Sequence, residues 1–218
     1  MLIVHETVEA AVSRVVADLR RTLASAEREA RIALGGGSTL APVARALARA
    51  LAEDVGVSPP GGARRLRVVV SDDFVDPAHG SNHAMLREAF AGLHAVTLQH
   101  TQEVETLIDG AGDAGLDHVV LGLGTDAHTA AIFTPEDIAD QRPLLATTCP
   151  AGTPRRSLGL PVIARARHIV ILATGAAKAD AVAGIFRGSP ASAGVLARSP
   201  QTEIHADADA ARSLRSPR

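Results

Sequence analysis

Neither tryptophan nor tyrosine occurs in the chain, and phenylalanine occurs only four times, so nucleic-acid bases would find few rings on which to stack. Charge offers no such partner either. Lys and Arg total 22 against 24 Asp and Glu, a net −2 at pH 7, which is no basic field for a polyanion. One cysteine, Cys149, excludes an internal disulfide and a multi-cysteine metal site, and reads as a small buried or loop residue. No apolar run reaches membrane-spanning length. The opening MLIVHETVEA lacks the basic head and long apolar core of a signal peptide, so the expectation is a cytoplasmic protein with neither membrane nor nucleic-acid partners. Repeats and low-complexity linkers are absent as well. At 218 residues and 46% hydrophobic, the chain suits one compact domain over residues 1–218.

What is present alternates between helical and strand patterns. Val8 to Leu23 carries apolar residues at helical spacing; Arg31 to Leu34 is a short strand, followed by GGGST and an Ala/Leu-rich helix from about Leu40 to Ala52. SPPGGARR, Ser58 to Arg65, reads as a surface turn before a strand Leu66 to Val70, and a helix covers about Asn82 to Phe90. A strand near Val96 to Gln99 and a helix near Glu103 to Ala111 precede a central strand, Val119 to Leu123. Thr134 to Pro154 reads as irregular. Beyond it come an extended Ser157 to Leu160, a strand His168 to Thr174, a helix Ala176 to Phe186, an edge strand Thr202 to His205 and a short final helix. Strands alternating with helices predict an α/β fold, an open and mainly parallel sheet with helices on both faces.

Four features carry chemistry. In LDHVVLGLGTDAHTAAIF, Leu116 to Phe133, an apolar strand breaks at Gly122 and Gly124 and delivers Asp126 and His128 to the carboxyl edge of the sheet, where open α/β folds bind ligands. A histidine there can serve as a general base with the aspartate orienting it. Equally, Asp126 could cap a helix beginning near Ala127 while His128 fills a polar gap. The glycine loop, Gly35 to Gly37 with Ser38 and Thr39, offers amides, hydroxyls and a helix N-terminus to a phosphate or oxyanion, or is simply a tight turn capped by Ser38. Its spacing fits neither the P-loop nor the dinucleotide fingerprint. VVVSDDFV ends a strand in Asp72 and Asp73, which could hold a sugar hydroxyl or a proton, or merely cap and solvate a strand end. Lys178, in the first turn of a helix, opposes the helix dipole unless an anion sits there; a solvated surface lysine is the plainer reading.

Together these segments resemble the 6-phosphogluconolactonase family, within the wider glucosamine-6-phosphate isomerase/deaminase-like superfamily, over nearly the whole chain. The family's GGST-type loop appears at Gly36 to Thr39, its SNxxMxREA-type segment as SNHAMLREAF from Ser81, and its GxDGHTASLF signature as GTDAHTAAIF from Gly124. Its RVTLTLPVI segment appears as RRSLGLPVI from Arg155, and its TGxxKA as TGAAKA from Thr174. The resemblance implies a glucosamine-6-phosphate isomerase-like fold that needs no cofactor or metal and takes a sugar phosphate as its partner. The implied reaction is hydrolysis of 6-phospho-D-glucono-1,5-lactone in the pentose phosphate pathway. It also implies roles: His128 as base on water, Asp126 as its polar partner, Lys178 and Arg155 on the phosphate. Gly36, Gly37, Ser38 and Thr39 would contribute to the pocket, and Asp72 matches the first residue of the family's DER motif. Oligomeric state is left open, a monomer being slightly favoured.

Two departures stand out. The DER motif reads Asp72-Asp73-Phe74, so its arginine is missing, and Ala127 replaces the glycine before the histidine. The first leans toward the deaminase branch, whose motif is DEY, yet that branch carries a glutamate five residues after its histidine where this chain has Phe133. An amino-sugar-phosphate isomerase or deaminase is therefore the nearest rival. A sugar-phosphate-sensing module lacks its DNA-binding segment here, and a catalytically idle phosphosugar-binding protein would show no turnover. Phe74 reads as a pocket wall, and the segment 134–154 as a candidate cover for the substrate.

Overall fold

The computed structural model describes residues 1–27, 29–54, 65–108 and 115–214. Among them, seven strands form one parallel sheet in the order β1 (Leu2–His5), β10 (Thr202–Asp207), β9 (His168–Ala173), β6 (His118–Gly122), β2 (Glu29–Leu34), β3 (Arg65–Val70) and β5 (Val96–Gln99). Alternation within each strand divides the apolar residues between two core layers. Ile32, Leu34, Val68, Val70, Val120, Val170 and Leu172 face α1 (Val8–Ser25), α2 (Gly37–Asp54) and α3 (Asn82–Ala89). Ala33, Val69, Val119, Leu121, Ile169 and Ile171 face the other way, toward α5 (Leu160–Ala164), α6 (Ala179–Phe186) and α7 (Ser192–Leu196). Register is pinned on both sides, because a one-residue slip of β2 would exchange Ile32 and Leu34 for Ala33 across the sheet.

The strand order reverses at the middle. From β2 the chain moves outward through β3 to β5, and from β6 it moves the opposite way through β9 to β10. The adjacent carboxyl ends of β2 and β6 therefore part, leaving a crevice at the place where such sheets bind ligands. A second, antiparallel sheet of β4 (Asp72–Phe74), β8 (Pro154–Leu158) and β7 (Leu144–Thr148) closes over one end of this crevice. No helix among the described residues is long and apolar enough to cross a membrane.

Several expectations are corrected. Segment 134–154 is not irregular: it contains α4 (Pro135–Ala139) and β7, whose five residues pair only with β8 and so show no buried parallel-strand pattern. Strand β10 is not an edge, since β1, too short to read from LIVH alone, adds outside it. The helix expected from Glu103 to Ala111 is a 3-10 turn, Thr101–Leu107, with residues 109–111 outside the described part. Here the buried Gln99 amide donates to the Glu103 carbonyl at 3.0 Å and to Thr106 Oγ1 at 3.0 Å, engaging an acceptor that an α-helix would use. The surface turn at 58–65 also falls outside the described residues, apart from Arg65, which opens β3.

His118 begins β6 fully enclosed under α1. Its Nδ1 lies 3.1 Å from Thr22 Oγ1, and its Nε2 has no hydrogen-bond partner among the described residues. Burial, reinforced by the nearby His168, lowers its pKa from 6.5 to about 4. The folded protein thus binds one proton fewer than the unfolded chain between those values. The stability it contributes is complete above pH 6.5 and is lost as pH falls toward 4, by about 3 kcal/mol for a shift of this size. Urea denaturation between pH 7.5 and 4.5 should therefore fall more steeply for the wild type than for His118→Gln, whose side chain does not titrate; parallel slopes would show that His118 carries no such linkage.

Candidate active site

The crevice opens into a cavity of about 400 Å³ lined by the ends of β2, β3 and β6, by residues of β4 and β8, and by Lys178 beyond β9. Its floor begins where β2 ends. The Gly35 N–H donates to the Val120 carbonyl at 3.2 Å, and Gly36 approaches Asn82 so closely that a Cβ there would lie 1.9 Å from Asn82 Oδ1. Helix α2 starts immediately, at Gly37 rather than near Leu40, so Ser38 and Thr39 belong to its first turn. The opening amides of a helix have no intrahelical partner, and here the residues that carry them, Gly37, Ser38 and Thr39, line the cavity.

The paired carboxylates separate into two jobs. Asp73 Oδ1 accepts from the Asn82 N–H at 2.7 Å, and Oδ2 accepts from the His83 N–H at 3.1 Å and from Ser81 Oγ at 3.0 Å, so Asp73 caps α3. Asp72 instead turns into the cavity wall, buried and hydrogen-bonded by Ser71 Oγ at 2.9 Å and Asn82 Nδ2 at 3.3 Å. An ion pair joins it to Arg155 across the β4–β8 ladder. Burial pushes the Asp72 carboxyl above its usual range, with the Arg155 charge and the Ser71 hydrogen bond as partial counterweights. Neither Ser71 nor Asn82 carried a role in the sequence reading; Asn82 stood in a quoted motif without one.

Phe74 lines the cavity and serves as a shelf, its ring centroid 3.8 Å below the Arg155 guanidinium carbon. The missing arginine of the DER position is thus met by a guanidinium from the neighbouring strand. An arginine at position 74 would set two like charges together in a half-buried place.

His128 and Asp126 lie in the turn after β6, not at the start of a helix, because the chain passes through left-handed Ala127 (φ 65°) and Ala130 (φ 51°) before α4. The capping alternative for Asp126 therefore has no helix to cap. Asp126 Oδ1 accepts instead from His128, at 2.5 Å from Nδ1 and 3.2 Å from the main-chain N–H. Burial acts to raise the Asp126 carboxyl, but these hydrogen bonds outweigh it and hold the group below the ordinary carboxylate range. With Nδ1 engaged by a carboxylate, Nε2 is left as the basic nitrogen. Phe133 packs against the imidazole at 4.7 Å between centroids. Lys178, the only lysine in the chain, closes a 3-10 turn ahead of α6 and lines the same cavity. Of the residues to which the resemblance gives a role, Gly36, Gly37, Ser38, Thr39, Asp72, His128, Arg155 and Lys178 line this cavity; Asp126 does not, but holds His128, which does.

Among the described residues one group has the composition of a metal site, Asp18, Glu203 and His205, beneath α1. Asp18 is already paired with two guanidinium groups, Arg14 at 3.0 Å and Arg21.

Gly124 makes the His128–Asp126 pair possible: a Cβ there would stand 2.2 Å from His128 Nδ1 and 2.5 Å from Asp126 Oδ1. Both contacts are with side chains that can swing away, so Gly124→Ala should fold yet part the pair. The deshielded proton NMR signal of the Nδ1–H bond is expected to disappear in this variant. Its persistence unchanged would mean that the glycine is not what permits the pairing.

Comparison with known proteins bears on this arrangement. The family model described as glucosamine-6-phosphate isomerases/6-phosphogluconolactonase matches residues 4–209. A 6-phosphogluconolactonase of Synechocystis sp. is 34% identical over 184 residues, 77% of this chain and 76% of that protein. A glucosamine-6-phosphate deaminase of Arthrobacter sp. is 30% identical over 94% of this chain and 89% of its own. Among solved structures, the 6-phosphogluconolactonase from Trypanosoma brucei superposes with a TM-score of 0.79 at 22% identity, covering 98% of each chain.

Proposed function

Because the chain belongs to the glucosamine-6-phosphate isomerase/6-phosphogluconolactonase family, we propose that it hydrolyses 6-phospho-D-glucono-1,5-lactone to 6-phosphogluconate with His128 as general base. The observation that carries this reading is the 2.5 Å Asp126–His128 contact at the rim of a cavity whose other walls are helix-terminal amides, Lys178 and Arg155. His128 Nε2 takes a proton from water as the water oxygen bonds to the lactone carbonyl carbon. Asp126 holds the ring by Nδ1–H and stabilises the imidazolium that forms. Collapse of the tetrahedral adduct breaks the ring C–O bond, and the proton on Nε2 passes to the departing ring oxygen. The phosphate is held by Lys178, by the free donors of Arg155 and by the amides and hydroxyls of Gly36 to Thr39, while Asp72 takes a sugar hydroxyl.

Phe133 favours this reaction over sugar isomerisation. The resemblance gives the deaminase branch a carboxylate at that position, and here a phenyl ring fills the place beside His128, so a hydrolytic base is kept and the second acid is not. A lactone is already an activated ester, for which a positioned base supplies about 10²- to 10⁴-fold without a covalent intermediate. Sugar phosphates are anions that bilayers retain, and we place the reaction in the cytoplasm.

An assay with fresh 6-phosphogluconolactone should show hydrolysis that EDTA leaves unchanged. His128→Ala should lower kcat by about 10²- to 10⁴-fold with the fold intact; a kcat near wild type would remove His128 from the role of base. Production of fructose 6-phosphate from glucosamine 6-phosphate, with no lactone hydrolysis, would move the chain to the deaminase reading.

Lys178→Ala tests the phosphate site separately. It should raise KM with little change in kcat, and unphosphorylated gluconolactone should have a much lower kcat/KM than the phosphorylated lactone. Equal kcat/KM for the two lactones would mean that Lys178, Arg155 and the α2 amides do not form a phosphate site.

A further inference from the structure

The turn that carries His128 runs on through residues 129–132, where the main chain is neither helix nor strand and is almost fully buried at Thr129, Ala131 and Ile132. Buried main-chain polar groups need partners. Here hydroxyls from other elements provide them. Ser192 Oγ accepts from the Thr129 N–H at 2.9 Å and donates to the Ile132 carbonyl at 2.9 Å. Ser157 Oγ accepts from the Ala131 N–H at 3.2 Å, and Thr147 Oγ1 donates to the Ala131 carbonyl at 2.8 Å.

Ser192 differs from the other two in what it ties together. Thr129 and Ile132 form the isolated antiparallel bridge that closes the turn, and its single hydroxyl spans both members. The next residue repeats the connection on the other side of His128, the Ala193 N–H donating to the Ala127 carbonyl at 3.3 Å. Both neighbours of His128 in the chain are therefore held by the first two residues of α7. Thr129 is anchored a second time, through its own hydroxyl to the Gly122 carbonyl at 2.8 Å, which fixes the turn to the end of β6. Ser192 itself is 1% exposed and lines no part of the cavity.

We infer that Ser192 is a positioning residue for the proposed lactone hydrolysis, acting through Thr129 to hold the His128 imidazole at the distance from which it can deprotonate water. The inference rests on His128 being the base. Removing the hydroxyl takes the Ser192 hydrogen bonds from the buried Thr129 N–H and Ile132 carbonyl, leaves only the bridge between them, and lets the turn shift. Displacements well below the size of an atom matter for a base that works by position. The phosphate contacts, on α2, β8 and the turn after β9, are left where they are.

Ser192→Ala is therefore expected to lower kcat by about 10- to 100-fold, the cost of a misplaced catalytic group, with KM within about twofold. Ser192→Thr, which keeps the hydroxyl, should retain more of kcat than Ser192→Ala. A destabilised control, Val16→Ala in the opposite core layer, should lose stability and keep kcat. The decisive comparison is a double-mutant cycle: added to His128→Ala, Ser192→Ala should cost nothing further in kcat, because it acts only through that ring. Full additivity, or a loss in Ser192→Ala no greater than in Val16→Ala, would overturn the inference. Should the wild type lack lactonase activity, the function proposed above fails by itself, and the ring NMR signals of His128 decide the present point. Their displacement by Ser192→Ala and not by Val16→Ala supports the positioning role, and no displacement refutes it.

Discussion

The parallel pairing of β2 with β6 is the constraint from which the site follows. Ile32, Ala33 and Leu34 stand opposite His118, Val119 and Val120, and both strands are buried on both faces, so neither can slide or tilt without exposing a core layer. Because the chain leaves these two strands in opposite directions, their ends open a gap that no crossing connection fills. Backbone must come close to side chains in that gap. Gly36 yields to Asn82 and Gly124 to the His128–Asp126 pair.

Charge in the cavity is arranged by what is paired before any ligand arrives. A carboxylate as deeply buried as Asp72 would be costly alone, and Arg155, Ser71 and Asn82 surround it. Arg155 is in turn steadied from below by Phe74 and by its Nε donating to the Asp73 carbonyl at 3.2 Å. A guanidinium has five donors, so these bonds orient it and still leave some of its N–H groups for an anion. Lys178 presents the complementary case: among the described residues it has no ion pair, and it sits where a helix begins. Its charge and that helix end oppose each other until a dianion lies between them. One cation is fixed by its own protein and the other is left for an anion in the cavity.

The strands with the strongest burial were legible because burial on both faces writes itself as a continuous apolar run: VVV in β3, VVL in β6 and IVIL in β9. The small sheet was not, since β7 alternates buried and exposed residues over only five positions, and β8 is buried only at Ser157 and Leu158 and carries two charged side chains, Arg155 and Arg156. Asp126 and His128 were legible as a pair with a chemical use, but not their setting, for the pattern of glycines suggested a helix start where two left-handed alanines make a turn. The division of labour between Asp72 and Asp73 depends on which way β4 turns, and adjacent letters cannot reveal that. Ser192 was invisible for a related reason. Its partners lie 60 and 63 positions away in the chain, α7 has only five residues, and a serine among alanines and a glycine has no local signature.

Ala127 shows how such distant ties change what a local position tolerates. At φ 65° an alanine costs about 1–2 kcal/mol relative to the right-handed region, which explains why a glycine is the family's residue there. The methyl group is not idle, however. Ala127 is 4% exposed and belongs to the core layer that includes Ala193 and Leu196 of α7, and burying one methyl group returns roughly 0.8 kcal/mol. The Ala193 N–H on its carbonyl then holds the strained residue in place, so the packing that offsets the strain and the hydrogen bond that uses it come from the same short helix. Strain at a catalytic turn persists only where the surroundings over-determine it. In this chain the surroundings are α7, and the substitution of glycine by alanine makes the His128 turn depend on that helix more heavily than the sequence around the histidine reveals.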